Sequence, residues 1–347
     1  MIIIFPIAKT DRYRRAIRNK LLFLDKKAQL VKAVIIGSGG QIGSELTKKL
    51  RDKYGPEQVI ATDIVDNPSD VHFYRLDATD KIGLRQLLDK ESPDEVYLLA
   101  AILSAKAEND PLRAWNVNTD ILLNTLELFR AGAFGKLFWP SSIAVFGPHT
   151  PKKNTPQFTV TDPDKVYGIS KLAGERWVEY YHNRYGLDIR SLRYPGVISW
   201  KVQPGGGTTD YAIEMFHYAL QGKKYTCYLE PDEALPMIYI DDALRATMML
   251  MESPSENLRI RSSYNLAGMS FTPKQLADAI RRYIPGFEVT YRPDFRQQIA
   301  ATWPDSIDDT YAREDWNWQP AFDLDAMVRE MLVNMQQHYY HDADMNM

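Results

Sequence analysis

Cysteine is almost missing from this chain: Cys227 is the only one in 347 residues. No intrachain disulfide can form, which fits a reducing compartment. No zinc site can rest on thiolates, and the six histidines show no HExxH or similar spacing. The sequence therefore offers no metal site. No apolar run approaches the ~20 residues that cross a bilayer. An excess of one charge is also missing, since 42 Lys and Arg stand against 45 Asp and Glu. That balance gives no electrostatic footprint for nucleic acid. Apolar residues make up 45% and charged residues 25%, which excludes a disordered chain, a collagen-like repeat and a disulfide scaffold. There is no internal repeat and no low-complexity tract. The length suggests about two domain-sized units.

The first 30 residues stand apart. Lys9, Arg12, Arg14, Arg15, Arg18, Lys20, Lys26 and Lys27 face only Asp11 and Asp25. The apolar start, Met1 to Ile7, is too short for a signal-peptide core. An Arg-rich, acid-poor lead fits a mitochondrial transit peptide and so the mitochondrial matrix; its lack of serine argues against that. The other reading is an upstream extension of a cytoplasmic protein.

From Val31 the chain alternates short apolar runs with helical spacing. Strands are expected at Lys32–Ile36, Gln58–Thr62, Val71–Leu76, Asp94–Leu99, Lys136–Trp139 and Leu187–Leu192. Helices are expected at Ile42–Tyr54, Asp80–Lys90, Leu112–Ala131 and Lys165–Tyr185, with Pro111 suited to a first turn. This alternation implies an α/β fold, a Rossmann-like doubly wound parallel sheet. The rhythm breaks after Ser199. Residues 31–199 are read as the dinucleotide-binding domain. Residues 200–335 are read mainly as a smaller substrate-binding unit, with a return to the first domain near 236–252. Residues 336–347 are read as a loose polar tail.

Gly37-Ser38-Gly39-Gly40-Gln41-Ile42-Gly43 follows a strand and opens a helix. Glycines at 37, 40 and 43 permit a tight turn and close approach to a pyrophosphate, and the helix N-terminus supplies N–H groups. Asp63 ends the second strand, 20 residues after Gly43. A carboxylate there accepts from ribose hydroxyls and repels a 2′-phosphate, so NAD is expected rather than NADP. Asp77, after Leu76, is placed to meet the adenine amino group; the alternative is a solvated strand-end acid.

Tyr167 and Lys171 lie four apart on one helix face. A free tyrosine has a pKa of ~10. A nearby ammonium and a cationic nicotinamide should lower it, so that Tyr167 takes a proton from an alcohol as hydride leaves. Ser142, 25 residues before Tyr167, can hold the substrate oxygen. Ser141 is a second candidate.

The GxxGxxG turn, the Ser141-Ser142-x-x-Val145-Phe146-Gly147 segment and YxxxK together resemble the extended short-chain dehydrogenase/reductase family. Further segments are similar to the short-chain L-threonine 3-dehydrogenases: Leu103-Ser104-Ala105 with Glu108, Gly205–Ala212, Leu235–Asp242 and Thr302–Asp309. The resemblance runs from about residue 31 to 335. It implies oxidation of L-threonine with NAD, and threonine contacts from Leu103, Ser104, Ser142, Tyr167, Gly207, Thr209 and Trp303. It implies cofactor contacts from Gln41, Ile42, Ile64, Leu99, Ala100, Asn118, Tyr194, Pro195 and Val197, with Lys171 on the nicotinamide ribose. A core role is the other reading of Trp303, and a turn that of Gly207. Ser38 departs from the small apolar residue many relatives carry.

Rival readings are a sugar-nucleotide epimerase or dehydratase and a non-catalytic sensor. A dehydratase would carry an Asp-Glu pair where Ile143-Ala144 stands, and a sugar-nucleotide epimerase an Arg-Asp pair where Pro236-Met237 stands. A non-catalytic NAD-binding sensor commonly loses the tyrosine or lysine, and both are present. Apolar residues on the helix from Leu112 (Leu112, Trp115, Ile121, Leu122, Leu126, Phe129) and on the helix from Lys165 (Val166, Ile169, Leu172, Ala173, Trp177, Tyr181) suggest a homodimer across a two-fold axis. L-threonine is the small-molecule partner, with no nucleic acid and no membrane.

Overall fold

β1 (Ala33–Ile36) shows how the sheet is built: all four of its side chains are buried, and successive ones point to opposite faces. Ala33 and Ile35 join one hydrophobic core with Leu46 and Leu50; Val34 and Ile36 join the other with Leu84, Leu88 and Leu126. A computed structural model describes residues 31–201 and 207–340. The basic lead of residues 1–30, Gly205-Gly206, and the tail beyond 340 lie outside the described residues.

After β1 come α1 (Gln41–Tyr54), β2 (Val59–Asp63), β3 (Phe73–Arg75), α2 (Lys81–Glu91) and β4 (Glu95–Leu98). Then follow α3 (Ser104–Asn109), α4 (Pro111–Arg130), β5 (Lys136–Phe138), β6 (Ser141–Ser142), α5 (Val166–Tyr185) and β7 (Ile189–Arg190). The main sheet runs β3-β2-β1-β4-β5-β7, all parallel. Strand order reverses between β1 and β4, and such a switch point opens a crevice at the strand C-termini. Pro111 occupies the first turn of α4, where its missing N–H costs no bond.

Two expected strands change shape. Val71 is almost fully exposed, so β3 starts only at Phe73. The strand expected at Leu187–Leu192 ends at Arg190. The next stretch, β8 (Leu192–Tyr194), leaves the main sheet to pair in parallel with β6 and with β12 (Tyr264–Asn265). That shift brings Tyr194 beside Ser142.

Beyond β9 (Gly196–Ile198) lie α6 (Tyr211–Leu220), β10 (Tyr225–Cys227), β11 (Leu235–Tyr239) and α7 (Ile240–Glu252). They are followed by β13 (Met269–Phe271), α8 (Pro273–Arg281), β14 (Val289–Tyr291), α9 (Phe295–Ala300), α10 (Thr310–Trp316) and α11 (Leu324–Tyr339). β11 pairs in parallel with β9, and α7 packs on α1. α6, α8 and α11 pack together, and β10 pairs with β14. The end of α11 is not loose: the Nδ1 of His217 meets the hydroxyl of Tyr340 at 2.8 Å.

The helix faces expected to be outward are partly inward. Ile121, Leu122, Leu126, Phe129 and Tyr181 are buried beneath α4 and α5 because the parallel sheet already covers them. Leu112, Ile169, Trp177, Tyr180 and Tyr185 are the large apolar side chains of these helices left exposed. Among the described residues no helix is long and apolar enough to cross a membrane.

Candidate active site

The turn between β1 and α1 is tightened by backbone alone. The N–H groups of Gly37 and Ser38 both donate to the carbonyl of Thr62 at 2.9 Å. Gly37 has φ +93°, and a Cβ there would lie 2.6 Å from the Ala100 nitrogen. A Cβ on Gly43 would lie 2.1 Å from the Gly37 carbonyl oxygen. Only glycine fits both places. α1 starts after Gly40 with no side-chain cap, which leaves its first N–H groups open to an anion.

Asp63 stands over this turn. Its Oδ2 accepts from Gly39 N at 2.9 Å and its Oδ1 from Val65 N at 3.1 Å. Ile64 beside it is exposed. Gln41 Nε2 donates to the Val197 carbonyl at 3.3 Å, joining the turn to β9. Leu99 and Ala100 both donate their N–H groups to Ile36, at 2.8 and 2.9 Å. Gly37, Gly40, Gln41, Ile42, Gly43, Asp63, Leu99, Ala100 and Val197 thus gather at the switch point. A glycine cradle, an uncapped helix start and a carboxylate fixed over the turn fit a dinucleotide.

Other expected cofactor contacts are engaged elsewhere. Asn118 accepts from Ile102 N at 2.8 Å and donates to Ile102 O at 3.1 Å, so its amide shapes the turn after β4. Tyr194 is buried with its hydroxyl bonded to Thr247, and Pro195 after it is buried too. Asp77 Oδ1 accepts from the N–H and hydroxyl of Thr79, at 2.9 and 2.7 Å, closing a local turn. Leu76 packs partly buried on the second core.

Tyr167 lines a small cavity. Ser104 and Glu108 face it from successive turns of α3, Tyr167 from the start of α5, and Thr302 and Trp303 from the segment after α9. Glu108 also accepts from Val166 N at 2.9 Å, securing the first turn of α5. The Trp303 segment is anchored by residues 152–155: Asp305 N donates to Lys152 O at 2.8 Å and Thr155 N to Ser306 O at 2.9 Å. Leu103 does not reach the cavity. It precedes the first residue of α3 and is 59% exposed, pointing to solvent. Gly207 and Thr209 also lie off its walls: Gly207 N donates to Asp210 at 2.7 Å, and Thr209 packs on Gly196.

Ser142 lies beside the Tyr167 phenol, where it favours the phenolate, and its Oγ accepts from Ala144 N at 3.2 Å. Ser141 turns inward and donates to Glu175 at 2.7 Å. Lys171 is fully buried and donates to the Pro140 carbonyl at 2.6 Å, with its ammonium 4.6 Å from the Trp139 ring centre and 5.7 Å from that of Tyr167. The fall expected for the Tyr167 pKa counts on a cationic nicotinamide; the chain's own groups act in the other direction. Burial pushes the phenol up to about 12, against the lowering effect of Ser142. Burial also brings Lys171 down to about 7, against the raising charge of Glu175. Desolvation therefore outweighs the neighbouring groups at both residues.

Glu175 and Arg193 were missed as part of this arrangement. The position of Glu175, four residues after Lys171, was the available signal. Among the described residues, no group of three or more His, Cys, Asp or Glu side chains comes together as metal ligands.

Comparison with known proteins agrees with this geometry. Residues 33–267 match the model of the NAD dependent epimerase/dehydratase family. The solved holo form of a GalE-like L-threonine dehydrogenase from Cupriavidus necator is 54% identical, over 88% of this chain and 99% of that one, with a TM-score of 0.86. A solved L-threonine 3-dehydrogenase from a metagenome, described as monomeric, is 44% identical over 88% and 99%, with a TM-score of 0.85. An uncharacterised epimerase/dehydratase of Staphylococcus haemolyticus is 43% identical over 310 residues, 88% of this chain and 97% of that protein.

Proposed function

The chain belongs to the NAD dependent epimerase/dehydratase family, and from that premise we propose that it oxidises the side-chain hydroxyl of L-threonine, giving 2-amino-3-ketobutyrate. The observation that carries this reading is the meeting of Ser104, Tyr167 and Trp303 around one cavity. Ser104 and Tyr167 bring hydroxyls to it, and Trp303 an apolar ring, a mix that suits a small hydroxy amino acid. Pro236-Met237, where an epimerase would carry an Arg-Asp pair, weighs against the epimerase alternative. The presence of both Tyr167 and Lys171 weighs against a non-catalytic sensor. The similarity to L-threonine dehydrogenases at 54% and 44% identity supports the same substrate.

The cofactor is NAD, which accepts a hydride when bound. Gly37, Gly40, Gln41, Ile42 and Gly43 would hold its pyrophosphate side and Asp63 its adenosine ribose. Ser142 orients the threonine hydroxyl toward Tyr167. Tyr167 takes the hydroxyl proton. Lys171, as an ammonium, stabilises the phenolate form and bonds the nicotinamide ribose. Ser104 holds the amino acid, and Trp303 screens the cavity from water.

Threonine differs from serine by one methyl group. A closed apolar wall discriminates such a group by ~10–200-fold. The ratio of kcat/KM for L-threonine to that for L-serine tests the pocket: a value in that range is expected, and equal values contradict the reading.

The proposal extends to assembly and location. The exposed Leu112, Ile169, Trp177 and Tyr180 support a homodimer through α4 and α5; the relative described as monomeric shows that the alternative exists among similar chains. The bacterial source of the similar Staphylococcus protein supports a cytoplasmic location over the mitochondrial matrix.

A further inference from the structure

Three successive residues after β5 are each gripped by one residue of α5, taken four apart along one helix face. Ser142 meets Tyr167. The Pro140 carbonyl accepts from Lys171 at 2.6 Å. Ser141 donates to Glu175 at 2.7 Å. The first two grips belong to the reacting groups, while the third has no role in the chemistry described above.

Glu175 is completely buried, where a carboxylate needs strong partners. Arg193 of β8 supplies a two-armed one: Nε to Oε1 at 2.9 Å and Nη2 to Oε2 at 2.7 Å. The remaining arm of Arg193 reaches the Gln157 carbonyl and the Asn265 Oδ1, both at 3.0 Å. In the sheet Arg193 lies opposite Ser141, and the next residue lies opposite Ser142. The fork is therefore in register with the serine that meets Tyr167.

A buried ion pair is poor evidence of a stabilising role, since apolar replacements are often as stable. Its place beside Lys171 points elsewhere. α5 presents Tyr167 and Glu175 to Lys171; the end of β5 presents the Trp139 ring and the Pro140 carbonyl. β8 presents Arg193 one bond further away, behind Glu175, and α4 reaches this face through uncharged Asn118, 3.5 Å from Ser170.

We propose that Glu175, backed by Arg193, is a positioning residue that keeps Ser142 in register with α5 and supplies the negative charge that holds Lys171 as an ammonium. The inference rests on the reading of Tyr167, Lys171 and Ser142 as the reacting groups. Burial alone draws Lys171 toward neutrality, and Glu175 is the charge that opposes it. Removing the carboxylate lowers the pH at which the ammonium is lost.

The test is a titration of the full chain with 13Cε-labelled lysine, the Lys171 resonance being identified by its loss in Lys171→Met. The wild-type midpoint is expected near 7. Glu175→Gln should move it down by about one unit or more, a tenfold change, and Glu175→Asp should restore it. Glu175→Gln leaves the Arg193 charge without its partner and endangers the fold. The double change Glu175→Met with Arg193→Met avoids this and should also lower the midpoint. With threonine as substrate, the alkaline limb of kcat/KM should move down in step. An unmoved Lys171 midpoint in a folded variant overturns the proposal. So does a lower kcat with an unmoved limb. A shifted midpoint in a chain that does not oxidise threonine supports the charge coupling and separates it from the failed substrate reading.

Discussion

Lys171 donates a hydrogen bond to the Pro140 carbonyl at 2.6 Å, while the Tyr167 phenol is met by Ser142. With burial dominant at both, Lys171 falls from 10.5 to about 7. Between those values the unfolded chain holds a proton here that the folded chain has lost. This residue therefore makes stability rise with pH across that window. Lys171→Met removes the effect. Its melting temperature should exceed that of the wild type most below pH 7, and the gap should close toward pH 10. A gap independent of pH contradicts the burial argument.

Tyr167→Phe should remove turnover by ~10²–10⁴-fold, the usual loss for a missing general base. NAD affinity should stay within a few-fold, because the glycine turn and Asp63 are distant from the phenol in sequence and built on other elements. Isothermal titration with NAD, next to steady-state rates, checks both halves. A variant with half the wild-type rate rules out Tyr167 as the base.

Asp63 accepts from Gly39 and Val65 in the structure, so its carboxylate is already fixed over the turn. Asp63→Ala should weaken NAD by roughly 10–100-fold, the scale of a lost charged hydrogen bond, and narrow the gap to NADP. Equal use of NAD and NADP by the wild type runs against this assignment.

Trp177 and Ile169 stand exposed on α5. If α4 and α5 pair across a two-fold axis, Ile169→Glu with Trp177→Glu should turn a dimer into a folded monomer, read by light scattering at micromolar concentration. A wild type that is already monomeric there excludes the dimer.

The sequence makes the cofactor half far more legible than the substrate half. Gly37 and Gly43 announce themselves because no other residue survives contacts of 2.6 and 2.1 Å, and β1 because full burial demands an unbroken apolar run. Tyr167 and Lys171 are visible through helical spacing alone. The walls of the cavity are not visible in that way. Ser104, Trp303 and Tyr167 meet only through tertiary packing, and a residue's neighbour in sequence, such as Leu103, can face solvent. The effect of burial on the Tyr167 phenol is hidden for a related reason. Spacing reveals the partner charge but not the depth of burial, and burial decides the direction. Glu175 follows the same pattern: its face is legible, while its partners Ser141 and Arg193 come from two other strands.

The most direct measurement is the appearance of NADH at 340 nm when the purified chain is mixed with NAD and L-threonine, run beside NAD with a UDP-sugar. The account predicts NADH with threonine, dependent on Tyr167, and none with the UDP-sugar. NADH or epimerised product from the UDP-sugar, with nothing from threonine, contradicts it.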